Sequence, residues 1–330
     1  IRLDERYRLL HQAINHFPGS YEITRKDLLW KNIKRQQKDF GRKGDEFDFL
    51  PRTFILPTDL REFVDYFEKR EREGQDNTWI VKPSASARGR GIRITNKLSQ
   101  IPKWVDDFKD NPFVSQIQRR PLVVQKYIER PLLIDGEDVG KRKFDLRLYV
   151  LVTSVDPLRI YVYREGLLRF ASVKYSPLSD LDDVEMHLTN YSIQKKSSNY
   201  SRLNEDYNEP VGHKWSLQNL WLYLEEMGID KEEIWLQIES IIIKTILAAE
   251  IVEASRLNVA PLYNCFELYG FDIMLKWDDD ENLKPWLLEV NASPSLHSTT
   301  KLDAELKAPL IRDVLNLALS VVPPDKEKDI

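Results

Sequence analysis

Two apolar runs near the C-terminus, Phe271-Asp272-Ile273-Met274-Leu275 and Pro285-Trp286-Leu287-Leu288-Glu289-Val290-Asn291, flank the polar stretch Asp278-Asp279-Asp280-Glu281-Asn282. Strand-forming runs joined by turn residues predict a β-hairpin. Side chains alternate between the faces of a strand, so Glu289 and Asn291 point the same way, and Asp272 on the partner strand can join them. Two carboxylates and an amide oxygen form a hard, oxygen-only set suited to Mg²⁺, which usually keeps part of its shell for a nucleotide phosphate. The pattern argues for an ATP-using enzyme. A surface hairpin with polar residues on its wet face shows the same alternation.

At 330 residues the chain fits two or three lobes around a shared cleft. Net charge is −4, so no global field draws nucleic acid, and an acidic partner must be met by a local patch. Cys265 is the single cysteine, which excludes an intramolecular disulfide and a cysteine-based zinc site and suits a reducing compartment. The chain opens Ile1-Arg2-Leu3-Asp4 without a signal-type apolar run. The greasiest stretch, around Ile241 to Val252, carries Lys244 and Glu250 and reads as a core helix, not a membrane span.

The first 50 residues are helical in pattern and basic, with Lys31, Lys34, Arg35, Lys38, Arg42 and Lys43 close together. They form either a solvated helix face or a docking patch for an acidic partner. Thr53 to Leu56 reads as a short strand ended by Pro57, and Thr58 as the cap of a helix through Phe63, Tyr66 and Phe67. Strands are expected at 78–81, 92–94, 122–128, 143–153 and 159–163, and a long polar loop at 176–210. Two helices follow, the second opened by Asp230 with Glu233 three residues on, a capping-box pattern. A closing helix is expected near Ile311 to Val321. Strands mixed with helices and hairpins predict an α+β fold.

Four further constellations can carry chemistry. Lys82 closes the strand Trp79-Ile80-Val81, and the small-residue loop from Ser84 to Gly91 lets backbone N–H groups approach anionic oxygens. It lacks the P-loop and kinase signatures, and a flexible hairpin tip has the same composition. In Lys143-Phe144-Asp145-Leu146-Arg147 the three charged residues share one face of a strand, as a phosphate-facing wall or a mutually paired surface. Gln125-Lys126-Tyr127-Ile128 ends an apolar strand with polar groups. His187-Leu188-Thr189-Asn190-Tyr191-Ser192 precedes the pair Lys195-Lys196. His187 alone reads as structural and the lysine pair as solvated. Arg169, between apolar neighbours, is either salt-bridged or an anion clamp.

Together and in this order, these segments resemble the tubulin tyrosine ligase-like family. Asn15-His16-Phe17-Pro18-Gly19-Ser20, residues 79–83, 88–92, 266–272 and 287–296 extend the match over nearly the whole chain. The polyglutamylase branch is nearest, through 187–196 and the ending Glu289-Val290-Asn291-Ala292-Ser293-Pro294-Ser295-Leu296. The resemblance implies an ATP-grasp fold, with antiparallel sheets flanking an ATP cleft. It divides the chain into an N-terminal lobe (1–57), a central lobe with a mobile phosphate loop (58–128) and a C-terminal ATP-grasp lobe (129–330) that includes the cationic loop near 176–210.

The same resemblance implies the roles. ATP contacts fall on Lys82, Arg88, Gly89, Lys143, Asp145, Thr189 and Asn190, with Gln125, Lys126, Tyr127 and Ile128 as the adenine hinge. Arg147, Lys82 and Glu289 serve catalysis, and Asp272, Glu289 and Asn291 hold Mg²⁺. Free L-glutamate falls to Arg169, Tyr191, Ser192 and Lys214. The acceptor falls to Arg88, Lys195 and Lys196. The implied reaction activates a carboxylate as an acyl phosphate at the expense of ATP and joins it to free glutamate. The implied partners are tubulin C-terminal tails or microtubules, or other acidic proteins, with no role for nucleic acid or membrane. The implied place is the cytoplasm and cytoskeleton, extending to cilium or basal body, and the chain reads as a catalytic core whose flanking regions lie in a longer protein. Arg88 and Ala292 follow the family's branch-initiating members.

Rival readings are a ligase of the same family adding glycine or tyrosine, a small-polyphosphate kinase, and an inactive microtubule-binding module. Tyrosine would favour an apolar pocket over Arg169, and the kinase would need a denser basic cluster near the metal. Intact Asp272, Glu289 and Asn291 argue against the inactive module.

Overall fold

The computed structural model describes residues 13–84, 89–101, 103, 121–136, 140–176, 181–194, 214–249 and 265–319. Two antiparallel sheets face one another across a cleft. The smaller has the order β1 (Thr53–Leu56), β4 (Leu122–Lys126), β2 (Trp79–Pro83), β3 (Arg93–Thr95). The larger runs β10 (Leu283–Asn291), β9 (Glu267–Trp277), β6 (Gly140–Val155), β7 (Leu158–Phe170), β8 (Lys214–Ser216), with β5 (Leu133–Gly136) paired to β6. Helices pack against both sheets. All ladder pairings are antiparallel, which gives the predicted α+β class.

The small sheet is held by an aromatic cluster under α3 (Leu60–Arg72), whose Phe63 and Phe67 lie one turn apart on the buried face. Asp59, not Thr58, sits at the helix start, and it makes no side-chain cap. Its carboxylate instead accepts the Ile55 N–H at 2.8 Å and so fastens the end of β1 to the helix. The closing helix spans Lys301–Leu319 and starts ten residues earlier than the apolar pattern suggests. Leu306, Leu310 and Val314 recur at four-residue intervals and cover Tyr149, Leu151, Leu167 and Leu268. The helix Lys231–Ala248 is capped as expected, with the Asp230 carboxylate accepting the N–H groups of Glu232 and Glu233. The Glu233 carboxylate accepts from Gln237 further along the helix.

Strand β6 is the axis of the large sheet and is buried on both faces. Phe144, Leu146, Leu148, Val150 and Val152 enter the main core. The opposite face runs Lys143, Asp145, Arg147, Tyr149, Leu151: charged at the cleft, apolar under the closing helix. Lys143 and Asp145 are only 3% and 2% exposed, which excludes the reading of this strand as a paired surface.

The C-terminal hairpin forms as predicted and pairs along its length, but it is not regular. Leu283, Pro285 and Leu287 are buried at every second position, and simple alternation would send Glu289 to the same side. The register shifts between Leu287 and Glu289, so Leu287 faces Ile273 while Glu289 faces Asp272. The extra residue, Leu288, is a β-bulge that re-aims Glu289 toward the cleft. The surface-hairpin reading fails here, because nearly all of β9 is buried.

Trp79 is fully buried and meets Phe63 edge-on at 5.1 Å, with Phe54 and Tyr66 beside it. Trp79→Ala should lower the unfolding free energy by about 3–5 kcal/mol through the cavity it leaves. Urea denaturation followed by circular dichroism measures this, and a loss below about 1 kcal/mol would mean that the cluster does not hold the small sheet.

Candidate active site

A cleft opens between the two sheets. Its small-sheet wall carries Ile80, Lys82, Pro83 and Gln125 to Ile128, and Gly89, Arg90 and Ile92 overhang it. The large-sheet wall carries Lys143, Asp145, Asp272, Met274, Leu288 and Glu289, and the segment 187–190 closes one side. Most of the sequence-predicted nucleotide and metal residues are thus brought together. Arg88, Lys195 and Lys196, and the side chains of Tyr191 and Ser192, lie outside the described residues.

Two lysines are fixed before any ligand arrives. Lys82 Nζ donates to Gln125 Oε1 at 2.8 Å, and Gln125 in turn donates to Thr53 Oγ1 at 3.1 Å. Lys143 Nζ donates to the Tyr127 hydroxyl at 2.7 Å and lies 4.1 Å from the centre of that ring. The same hydroxyl is 2.8 Å from His187 Nδ1, so His187 supports the lysine from behind, as its structural reading suggests. Burial pushes Lys82 down to about 8, against the pull of Glu289 and with the repulsion of Lys26. Burial and the neighbouring Lys82 charge push Lys143 down to about 7, and Asp145 opposes them.

The hinge segment is partly committed to the fold. The Lys126 N–H donates to Arg52 O and the Tyr127 N–H to Thr78 O. The Lys126 ammonium is tied to Asp76 and Glu129. The apolar side chains of Ile80, Ile128 and Met274 line the cleft beside it. Gly89 has φ +70°, and a Cβ there would lie 2.5 Å from Ile193 Cδ1, so the overhanging loop needs glycine to close on that segment.

Asp272 is the electrostatic centre. It is 2% exposed and takes both Arg147 contacts, at 2.6 and 3.0 Å, plus Arg169 Nη2 at 2.8 Å. Burial alone would raise its pKa, but the two guanidiniums hold the carboxyl well below the usual range. Arg169 also grips Asp145 through two bonds, at 2.7 and 2.5 Å, and Thr189 Oγ1 donates to the same carboxylate at 2.7 Å. Arg169 is thus salt-bridged to two carboxylates, the first of its two sequence readings. Asn291 Nδ2 lies 3.3 Å from Asp272 Oδ2, and Glu289 is the cross-strand neighbour of Asp272. Among the described residues, no three His, Cys, Asp or Glu side chains converge on one point. Two carboxylates and an amide oxygen do fit a hard cation that takes its other ligands from phosphate.

Lys26, at the start of α2 (Lys26–Asp39), escapes sequence reading. Its ammonium meets Glu289 Oε2 at 2.9 Å and lines the cleft, while its N–H donates to Ser84 O at the end of β2. One lysine among many in a basic segment carries no signal of this. Lys214 lies opposite Arg169 in the β7–β8 ladder, but its ammonium is directed at Asp303, 2.6 Å away.

Facing antiparallel sheets, a cleft with a buried lysine on each wall and carboxylates on the large-sheet wall, and a glycine beside it define an ATP-grasp-like α+β fold. The tubulin-tyrosine ligase family profile matches residues 1–330, and the chain belongs to that family. It is 50% identical over 316 residues to the tubulin monoglutamylase TTLL4 of Mus musculus, covering 95% of this chain and 24% of that protein. It is 46% identical over 327 residues to the tubulin polyglutamylase ttll-4 of Caenorhabditis elegans, covering 98% and 48%. The match to the tubulin polyglutamylase TTLL5 of Mus musculus is 45% over 309 residues, covering 93% and 21%. The chain therefore spans less than half the length of these relatives.

A triphosphate placed against Lys82 and Lys143 should restore their protons. Near about pH 8 both are largely neutral or half-neutral in the empty cleft, so ATP binding should take up protons; near about pH 6 both are already charged and uptake should vanish. Calorimetry in buffers of different ionisation heat measures this. Equal uptake at both values would mean that the triphosphate does not meet these lysines.

Proposed function

We propose that this chain is the catalytic core of an ATP-dependent tubulin glutamate ligase. It joins free L-glutamate to a glutamate side-chain carboxylate in an acidic tubulin tail and starts branches rather than extending them. The observation that carries the reading is the cleft in which Lys82 on one sheet faces Lys143, Asp272 and Glu289 on the other, with Arg147 and Arg169 bonded to Asp272. The names of the relatives supply the substrate class, and mouse TTLL4, a monoglutamylase by name, supports initiation.

A carboxylate is a poor electrophile because oxide would have to leave. An acceptor carboxylate oxygen attacks the γ-phosphorus of ATP, the bond to the β–γ bridging oxygen breaks, and ADP departs. The acyl phosphate is then attacked at its carbonyl carbon by the uncharged amine of glutamate. The amide bond forms, phosphate leaves with the electron pair of the C–O bond, and the amine proton passes to solvent or phosphate. Both steps gather negative charge on phosphoryl and carbonyl oxygens, which fixed cations stabilise without reorganising. In this reading Lys82 and Lys143 hold the phosphates, Arg147 faces the reacting group, and Asp145 with Thr189 and Asn190 orients the nucleotide. Asp272, Glu289 and Asn291 would hold Mg²⁺, which supplies charge neutralisation at the phosphoryl oxygens. Arg169, with Lys214, Tyr191 and Ser192, receives the carboxylates of the donor. Arg88, Lys195 and Lys196 meet the acidic acceptor, and tubulin as substrate implies a cytoskeletal location. No described helix is long and apolar enough to cross a membrane.

Mass spectrometry of unmodified tubulin incubated with the chain, ATP, Mg²⁺ and one amino acid at a time tests the reading. Additions with glutamate, and none with glycine or tyrosine, are expected; additions only with another amino acid would overturn it. Glu289→Gln should cut turnover at least about a hundredfold, as when one transition-state stabiliser is removed, and leave microtubule binding unchanged. Retained turnover would remove Glu289 from the metal set. The pair Arg88→Gln with Ala292→His should abolish the first addition on unmodified tails, and its persistence would overturn branch initiation.

A further inference from the structure

Beneath the cleft, outside its lining, lies a second buried charge cluster. Asp303, in the first turn of the closing helix, is fully buried. Its Oδ2 accepts Lys214 Nζ at 2.6 Å, Thr299 Oγ1 at 2.9 Å and the Thr299 N–H at 3.1 Å. Its Oδ1 lies 2.8 Å from Lys307 Nζ, one turn along the same helix. Lys307 also donates to His297 O at 2.7 Å. One carboxylate thus joins strand β8, the closing helix and the segment that leaves the proposed metal strand β10.

Loss of a buried carboxylate that gathers two ammonium groups leaves like charges facing one another in a poorly solvated place. The pairing is firm: burial would raise the pKa of Asp303, yet hydrogen bonds from Lys214 and Lys307 hold the carboxyl well below the usual range. Lys214, in turn, is lowered by burial, with Asp303 opposing that shift. The ladder sets Lys214 directly across from Arg169. Arg169 is itself oriented by Asp145 and Asp272. Buried carboxylates thus fix the cations on this side of the site: Asp145 and Asp272 hold Arg169, and Asp303 holds Lys214.

We propose that Asp303 is a positioning residue for the amino-acid donor: it sets Lys214 beside Arg169 so that two fixed cations, one from each of neighbouring strands, receive the two carboxylates of glutamate. The inference rests on the donor-site reading of Arg169 and Lys214 above, and it adds the residue that makes the pair selective for a dicarboxylic amino acid. Glycine and tyrosine have one carboxylate and cannot give each cation its own.

The test is steady-state glutamylation of tubulin with L-glutamate and ATP varied separately, together with thermal melting. Asp303→Asn should raise KM for L-glutamate about tenfold or more, the loss expected when a charge-assisted contact slackens, while KM for ATP stays unchanged. Lys214→Met should do the same, and the double variant should add nothing further, because Asp303 acts through Lys214. Asp303→Glu should recover part of the loss. Thr299→Val removes one exposed partner of Asp303 without opening the core, and it should raise the same KM by about two- to threefold. It serves as the readout if Asp303→Asn melts early. Unchanged glutamate KM in Thr299→Val and Asp303→Asn, or an equal rise in KM for ATP, would overturn the positioning role. If Lys214→Met itself leaves the glutamate KM unchanged, the donor-site reading falls as well.

Discussion

A carboxylate that is 2% exposed and bonded to two guanidiniums ties the large sheet together at its functional end. Asp272 lies on β9, Arg147 on β6 and Arg169 on β7, and Glu289 faces Asp272 from β10. Four strands must be in register for these charges to meet. A slip of one residue in any of them would leave a charge buried without its partner, which is strongly destabilising. The ion cluster thus specifies the sheet, and the apolar core on its other face supplies the stabilisation. Gly270 shows how tightly it is built: a Cβ there would lie 2.9 Å from Pro294 Cβ and 3.3 Å from Arg147 Nε.

The cleft is prepared for anions by the reverse arrangement. Lys82 and Lys143 are both buried, and desolvation lowers both, helped by the Lys26 charge at Lys82 and by the Lys82 charge at Lys143. Their hydrogen bonds go to neutral groups, Gln125 and Tyr127, rather than to carboxylates. An incoming phosphate therefore need not break an ion pair to reach them. Lys26 differs, because its ammonium already meets Glu289.

Much of this was legible in the sequence, for identifiable reasons. The alternation of Lys143, Asp145 and Arg147 against Phe144, Leu146 and Leu148 survives as two real faces of β6. The hairpin and its turn lie where the apolar runs and the acidic stretch put them. The missing parts depend on long-range geometry. A bulge has no signature of its own in Leu287-Leu288-Glu289. Asp303 and Lys307, four apart on a helix, look like any solvent-exposed pair until the fold buries them. Thr58 and Asp59 are both good caps, and only the end of β1 decides that Asp59 turns away from the helix.

The bulge at Leu288 divides the C-terminal hairpin into two regions with different tolerance to change in length. Between the bulge and the tip, the strands carry an ordinary ladder ending in the exposed turn around Asp278 to Asn282. Residues gained or lost at that tip would leave the pairing nearer the cleft as it is. Beyond the bulge, parity is everything. Pairing Leu288 into the ladder without the bulge would set Leu288 opposite Asp272 and send Glu289 to the apolar side occupied by Leu287 and Ile273. Among sequences of this kind, the turn is where length can drift, and the span from Glu289 to Asn291 is where residue count must be kept.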